Sequence, residues 1–299
     1  MIGSAPVSDD GVLSSLRYLF ADLIGEDDDT PPFLPEGLPE AVAPVASDAI
    51  HMLIDYQSTA YAQLYVDRLK RFVGRRGVDD AMLGEIARLM AMRMSYQDPI
   101  RIAQLKLAQA DGTAGGAPLP PIGDVGRFRL DELIGALPAI VAEPVLDTLE
   151  WLGWLHKPVS ISFRAASRLG IGRLKLEASL RRWRRYSVRY TQERVWVERW
   201  LHMIDRSLTK QPKAAPEIVQ TATMIQGYGD PYRQGLADWH AIIDGLAKPT
   251  FDGVLALSDL AAAITEAGAT AMPDPRQAAL KRKIAEIRAR VPAGANAAE

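Results

Sequence analysis

The sequence predicts a mainly α protein, a multi-helix array carrying at most one small two-stranded β element. Three observations lead there. Apolar residues recur at helical spacing over most of the chain between 45 and 290. Aspartate–proline pairs punctuate it where helices should begin. Only two short stretches, 127–133 and 159–164, alternate polar and apolar as strands do. With 299 residues, 48% of them hydrophobic, the chain can bury a sizeable core.

Residues 1–44 read as an acidic, proline-rich arm. Val12, Leu13, Leu16, Phe20 and Ile24 could line one short helix, but Glu26, Asp27, Asp28, Asp29 and the prolines at 31, 32, 35, 39 and 44 deny the arm a compact fold. A helical domain is expected over 45–292. Its first helix is capped by Ser47 or Asp48, buries Ile50, Leu53, Tyr61, Leu69 and Phe72, and stops at Gly74 and Gly77. Asp79 or Asp80 opens the next, with Leu83, Ile86, Met90 and Met94 inward. In Asp98-Pro99, Asp230-Pro231 and Asp274-Pro275 the carboxylate should cap free N–H groups and the proline take the first helical position. Capping explains these aspartates without catalysis. The stretch 111–126 is a mobile linker, and the two strands flank a helix over 139–155. Shorter helices follow at 215–226, 231–244, 258–267 and 275–290, with Gly227, Gly245 and Gly268 as stops and 293–299 as a disordered tail.

The most distinctive element is a long helix over about 172–209. Leu176, Leu180, Trp183, Ser187, Tyr190, Arg194, Val197, Leu201, Ile204 and Leu208 follow at alternating steps of four and three, a heptad seam. Ser187 and Arg194 interrupt it, and a buried Arg194 would need Glu198, one turn on, as its partner. Around the seam Arg181, Arg182, Arg184, Arg185, Arg189 and Arg199 form a cationic face. Such a face suits phosphate or carboxylate groups. It equally suits solvent, or acidic residues of the same chain. If it is a surface, replacing Arg181, Arg182, Arg184 and Arg185 by alanine should weaken a contact without unfolding the chain.

Composition excludes several chemistries. There is no cysteine, hence no disulfide, thiol nucleophile or thiolate-held cluster or zinc. The four histidines, His51, His156, His202 and His240, form no HExxH pair. No apolar run approaches the roughly 20 residues of a membrane span, and the N-terminus lacks the pattern of a secretory signal. A cytoplasmic protein is expected. Lys and Arg number 35 against 37 Asp and Glu, which argues against a dedicated nucleic-acid binder. The Gly227-Tyr228-Gly229-Asp230 turn lacks the spacing of a phosphate loop, and no catalytic or metal constellation emerges.

Four passages, 56–69 (YQSTAYAQLYVDRL), 87–106 (ARLMAMRMSYQDPIRIAQLK), 180–201 (LRRWRRYSVRYTQERVWVERWL) and 226–235 (QGYGDPYRQG), together resemble the helical region of indolepyruvate ferredoxin oxidoreductases and their beta-subunit relatives. The likeness spans roughly 45–245. It implies coenzyme-A-dependent oxidative decarboxylation of aryl pyruvates with thiamine diphosphate, electrons passing to an iron–sulfur carrier. The thiamine-binding and cluster-binding parts of that family are missing here, as is the α/β gamma domain that precedes the helical region. No catalytic residue can therefore be carried over. The resemblance implies a non-catalytic helical subunit or region that assembles with a catalytic subunit holding the thiamine diphosphate and iron–sulfur clusters, itself binding no cofactor or metal. The competing reading is a free-standing helical binding protein whose arginine face takes nucleic acid, coenzyme A or an acidic protein.

Overall fold

The computed structural model describes residues 30–110, 125–162, 172, 180–271 and 274–291. Its helix boundaries follow from which short side chains take up free N–H groups. Helix α1 (Ala43–Tyr56) starts ahead of Ser47 and Asp48, with Pro44 in its first turn, so the two expected caps lie inside it. Val42 is buried, which brings the end of the expected arm into the core. The single helix expected through Phe72 is two. Ser58 is fully extended (φ −171°, ψ 166°), and its Oγ accepts from Tyr61 N at 3.3 Å to open α2 (Thr59–Lys70). A serine that can satisfy a free N–H competes with helix continuation, and here it breaks the run. Asp79 caps α3 (Asp80–Met94) through Met82 N at 2.8 Å. Asp98 caps α4 (Pro99–Ala110), its Oδ1 accepting from Arg101 N at 2.6 Å.

The small sheet is present. Strand β1 (Val125–Arg129) runs antiparallel to β2 (Pro158–Ser162), with Phe128 opposite Val159. Between them lie α5 (Leu130–Gly135) and α6 (Ala139–Trp151). Phe128 anchors the sheet: it is buried with Ile102 and Ala103 of α4 and stacks on Tyr228, ring centroids 5.1 Å apart.

The long helix is shorter than the seam predicts. Leu180–Tyr186 forms a 3-10 turn, Ser187 leaves helical geometry (φ −78°, ψ 148°), and its Oγ accepts from Tyr190 N at 3.1 Å to start α7 (Val188–Lys210). The serine that seemed to interrupt a seam is a cap. Of the seam ahead of Leu180, Leu176 lies outside the described residues. Within α7 the buried stripe is Glu193, Trp196, Val197, Trp200, Leu201 and Ile204, while Arg194 faces solvent. Three tryptophans cluster there: Trp196 lies parallel to Trp200 at 6.2 Å and edge-on to Trp239 at 5.1 Å.

The C-terminal part closes the core. After α8 (Ala215–Gln220), α9 (Asp230–Ile242) begins from Gly229 at φ 68°, and Asp230 turns to Arg233 instead of capping. Gly245 is not a stop. The helix widens through a π turn at Ile243–Ala247 and runs on as α10 (Lys248–Phe251). Pro249 has no N–H, so it cannot bond the Gly245 carbonyl four residues back. That oxygen accepts from Arg288 Nη1 at 3.0 Å on α12 (Ala278–Ala289). A Cβ at Gly245 would stand 2.9 Å from Ile284 Cγ2, so the glycine lets α12 approach. Helix α11 (Leu260–Gly268) is capped by Asp259, and Asp274 takes up the N–H groups of Arg276 and Ala278 ahead of α12. Helices α1, α2, α3, α7, α8, α9, α11 and α12 share one apolar core.

Among the described glycines Gly235 leaves the least room: a Cβ there would lie 2.1 Å from the Met224 carbonyl oxygen. Backbone cannot yield as a flexible side chain can. Gly235→Ala should therefore lower stability by about 1–3 kcal/mol, read as a lower urea midpoint at unchanged slope.

Candidate functional site

The arginines of the cationic stretch are placed one by one, and they do not form a single outer face. Arg184 is 1% exposed. Its Nε and Nη2 grip Asp98 at 2.7 and 3.0 Å, and its Nη1 donates to the Tyr56 carbonyl at 2.5 Å. The guanidinium lies 3.8 Å from the centroid of the Tyr56 ring. Every face of the fork is thus used inside the molecule, by a carboxylate that also caps α4. Burial works against the Arg184 cation, but Asp98 together with Tyr56 and Tyr96 outweighs it and the pKa is raised. An expectation of solvent or an outside partner fails here because the countercharge sits 86 residues away in sequence but adjacent in the fold.

Arg189 donates through Nε to Glu193 Oε1 at 2.9 Å and stacks 3.9 Å from the Tyr232 ring centroid. Glu193 is 2% exposed and is gripped from the other side by Arg93 Nη2 at 3.1 Å. Arg93 is itself buried, donates to the Ile225 carbonyl at 3.0 Å and lies over Trp196. An Arg–Glu–Arg triad therefore sits at the crossing of α3, α7 and α9. Arg199 bonds Asp244, and its Nη1 lies 2.9 Å from His240 Nδ1. Arg181 and Arg185 remain half-buried at the surface: Arg181 donates to the Asp55 carbonyl at 3.3 Å, and Arg185 lies over Tyr186. The side chain of Arg182 is outside the described part of the structure.

A third group went unnoticed in the sequence. Arg68 Nε and Arg71 Nη1 bond the two oxygens of Glu198 at 2.8 and 3.0 Å, and Arg71 and Arg75 share Asp205. Glu198 is thus committed to α2 and not to Arg194. Burial raises its pKa, but Arg68 and Arg71 more than reverse the effect. The only local clue to Arg68 and Arg93 is position, since each falls on the apolar side of its helix. Their partners lie 130 and 100 residues away.

Tyrosines line these ion pairs. Burial raises the pKa of Tyr56, Tyr61, Tyr96 and Tyr232, so all stay protonated. Tyr61 Oη donates to the Met94 carbonyl at 2.9 Å, and Tyr232 bonds Glu193.

Beside the triad a cleft of about 760 Å³ opens between α5 and α6 on one wall and α7 and α9 on the other. Glu143 and Glu150 stand on the first wall, Arg189, Arg199 and Arg233 on the second. Each of those arginines already holds a carboxylate, Arg233 bonding Glu132 and Asp230. No nucleophile–base pair lines the cleft among the described residues, and none of their His, Asp or Glu groups could hold a metal. Arg233 and Glu132 brace α9 against α5 across the cleft floor. No helix of the described residues is long and apolar enough to cross a membrane.

Asp98→Ala strands a buried guanidinium and should cost about 3–5 kcal/mol, whereas Arg181→Ala should cost about 0.5 kcal/mol or less, both by denaturant melts. The four-arginine alanine variant is accordingly expected to lose stability through Arg184. His240 supplies a pH test. Burial and then Arg199 lower its pKa below 6.5, against the pull of Asp244. The unfolded chain then binds the proton first, so stability falls as pH drops below about 6.5. His240→Asn should flatten that part of the stability–pH curve.

No curated protein matches the chain. No solved structure matches it either. A family model does match, over residues 42–245, which hold α1 to α9, both strands and the ion pairs described above. The chain belongs to that family, described as a family of unknown function (DUF6537).

Proposed function

We propose that this chain is a non-catalytic helical subunit or region of an indolepyruvate-type 2-oxoacid oxidoreductase, working in the cytoplasm by assembly with a catalytic subunit. That subunit would hold the thiamine diphosphate and iron–sulfur clusters and carry out the coenzyme-A-dependent oxidative decarboxylation of aryl pyruvates. One observation carries the reading. The four passages that resemble such enzymes supply the ion pairs and the tyrosines packed against them: Tyr56 and Arg68 from the first, Arg93 and Asp98 from the second, Arg184, Glu193 and Glu198 from the third, and Tyr232 from the fourth. The likeness therefore follows residues that hold helices together, which is what a shared scaffold preserves. Residues 45–245 of the resemblance also nearly coincide with the family range 42–245. The alternative, an arginine face for nucleic acid or coenzyme A, loses its centre with Arg184 and Arg189 turned inward onto carboxylates.

Co-expression with a thiamine diphosphate and iron–sulfur catalytic subunit from the same source tests the proposal. A stable complex should co-purify, and the isolated chain should leave aryl pyruvate, coenzyme A and thiamine diphosphate unchanged. Turnover by the chain alone, or no association with the catalytic subunit, would overturn it.

A further inference from the structure

Helix α6 is built to be covered on a side that the described residues leave open. Its sequence, AIVAEPVLDTLEW, is apolar around most of its circumference and holds no basic residue. A helix of that kind belongs inside a core, yet Ala142 alone of its residues is buried. Ile140 and Trp151 are 83% and 84% exposed, and Val141 and Leu152 are 52% and 41% exposed. At 100° per residue, Ile140, Pro144 and Trp151 form one outward ridge, and Val141, Val145 and Leu152 a second beside it. Beside the first ridge, away from the second, Glu143, Asp147 and Glu150 make an acidic stripe, of which Glu143 and Glu150 line the cleft. All three are exposed and form no ion pair among the described residues.

We propose that this face docks a separate protein chain presenting an apolar helix or ridge edged by lysine or arginine. Charge complementarity selects that occupant. The acidic stripe runs the length of the apolar ridges, so a partner that fills the ridges brings its own edge against three carboxylates. The chain's acidic stretch at Asp22, Glu26, Asp27, Asp28 and Asp29 has the same sign as the stripe. A second copy would set one acidic stripe against another. Both are disfavoured on charge. The face is derived from α6 itself; only identifying its occupant with the catalytic subunit rests on the proposed function.

The test uses the full chain and two fluorescent synthetic helices, identical in their leucine ridge but flanked by lysine in one and glutamate in the other. By fluorescence anisotropy the lysine peptide should bind the wild type and the glutamate peptide should not. Ile140→Ser/Trp151→Ser should weaken the lysine peptide about tenfold or more, and Glu143→Gln/Asp147→Asn/Glu150→Gln by a similar factor, with added salt weakening the wild type toward the second variant. Every substituted side chain is exposed, and unchanged circular dichroism checks that the fold survives. The proposal is overturned if both peptides bind alike, or if the variants bind as the wild type does. It is equally overturned if the wild type sediments as a dimer that Ile140→Ser/Trp151→Ser returns to monomer. No catalytic subunit is present in this assay, so its failure is separate from any failure of the complex to co-purify.

Discussion

Everything in this fold leans on charge carried into the interior and neutralised there by a residue from a distant helix. Arg184 meets Asp98, and Arg93 and Arg189 meet Glu193, at places where helices cross. A buried guanidinium tolerates few arrangements of its neighbours, because losing one carboxylate leaves an uncompensated ion in apolar surroundings. Hydrophobic burial supplies the bulk of the driving force. The ion pairs instead restrict which helix faces can meet. Tyr56, Tyr96 and Tyr232 extend that restriction, each offering a ring to an arginine.

The helical class, the small sheet and several helix starts could be seen in the sequence because they depend on local chemistry. Asp79 and Asp98 cap where an aspartate beside a helix should, and alternation at Ser160 and Ile161 marks a real strand. The misplacements share a cause. Ser58 and Ser187 can either ride within a helix or turn out to cap the next one, and spacing alone does not decide between them. Gly245 reads as a stop when only its own helix is considered, and as a contact once Ile284 is known. Arg194 and Glu193 stand next to each other, and one residue of helical phase separates a solvent-facing arginine from a buried glutamate.

The candidate site was hardest for the same reason. A run of arginines looks like a surface because its countercharges are not nearby in sequence. Asp98 and Glu193 reveal their roles only when α3, α4 and α7 are brought together, and Asp98 was already accounted for as a cap. One carboxylate performing two tasks is invisible to an argument that assigns each residue a single reason.

The oxygen that Pro249 leaves without its usual donor has a wider meaning for where this molecule can be divided. The donor that replaces it, Arg288, lies well past the last position matched by the family, as do Leu280, Ile284 and Ile287, which pack into the same interior. The boundary drawn by kinship and the boundary drawn by cohesion are therefore different. A fragment cut at residue 245 would end midway along a wound helix and lay bare the groove into which the last helix fits.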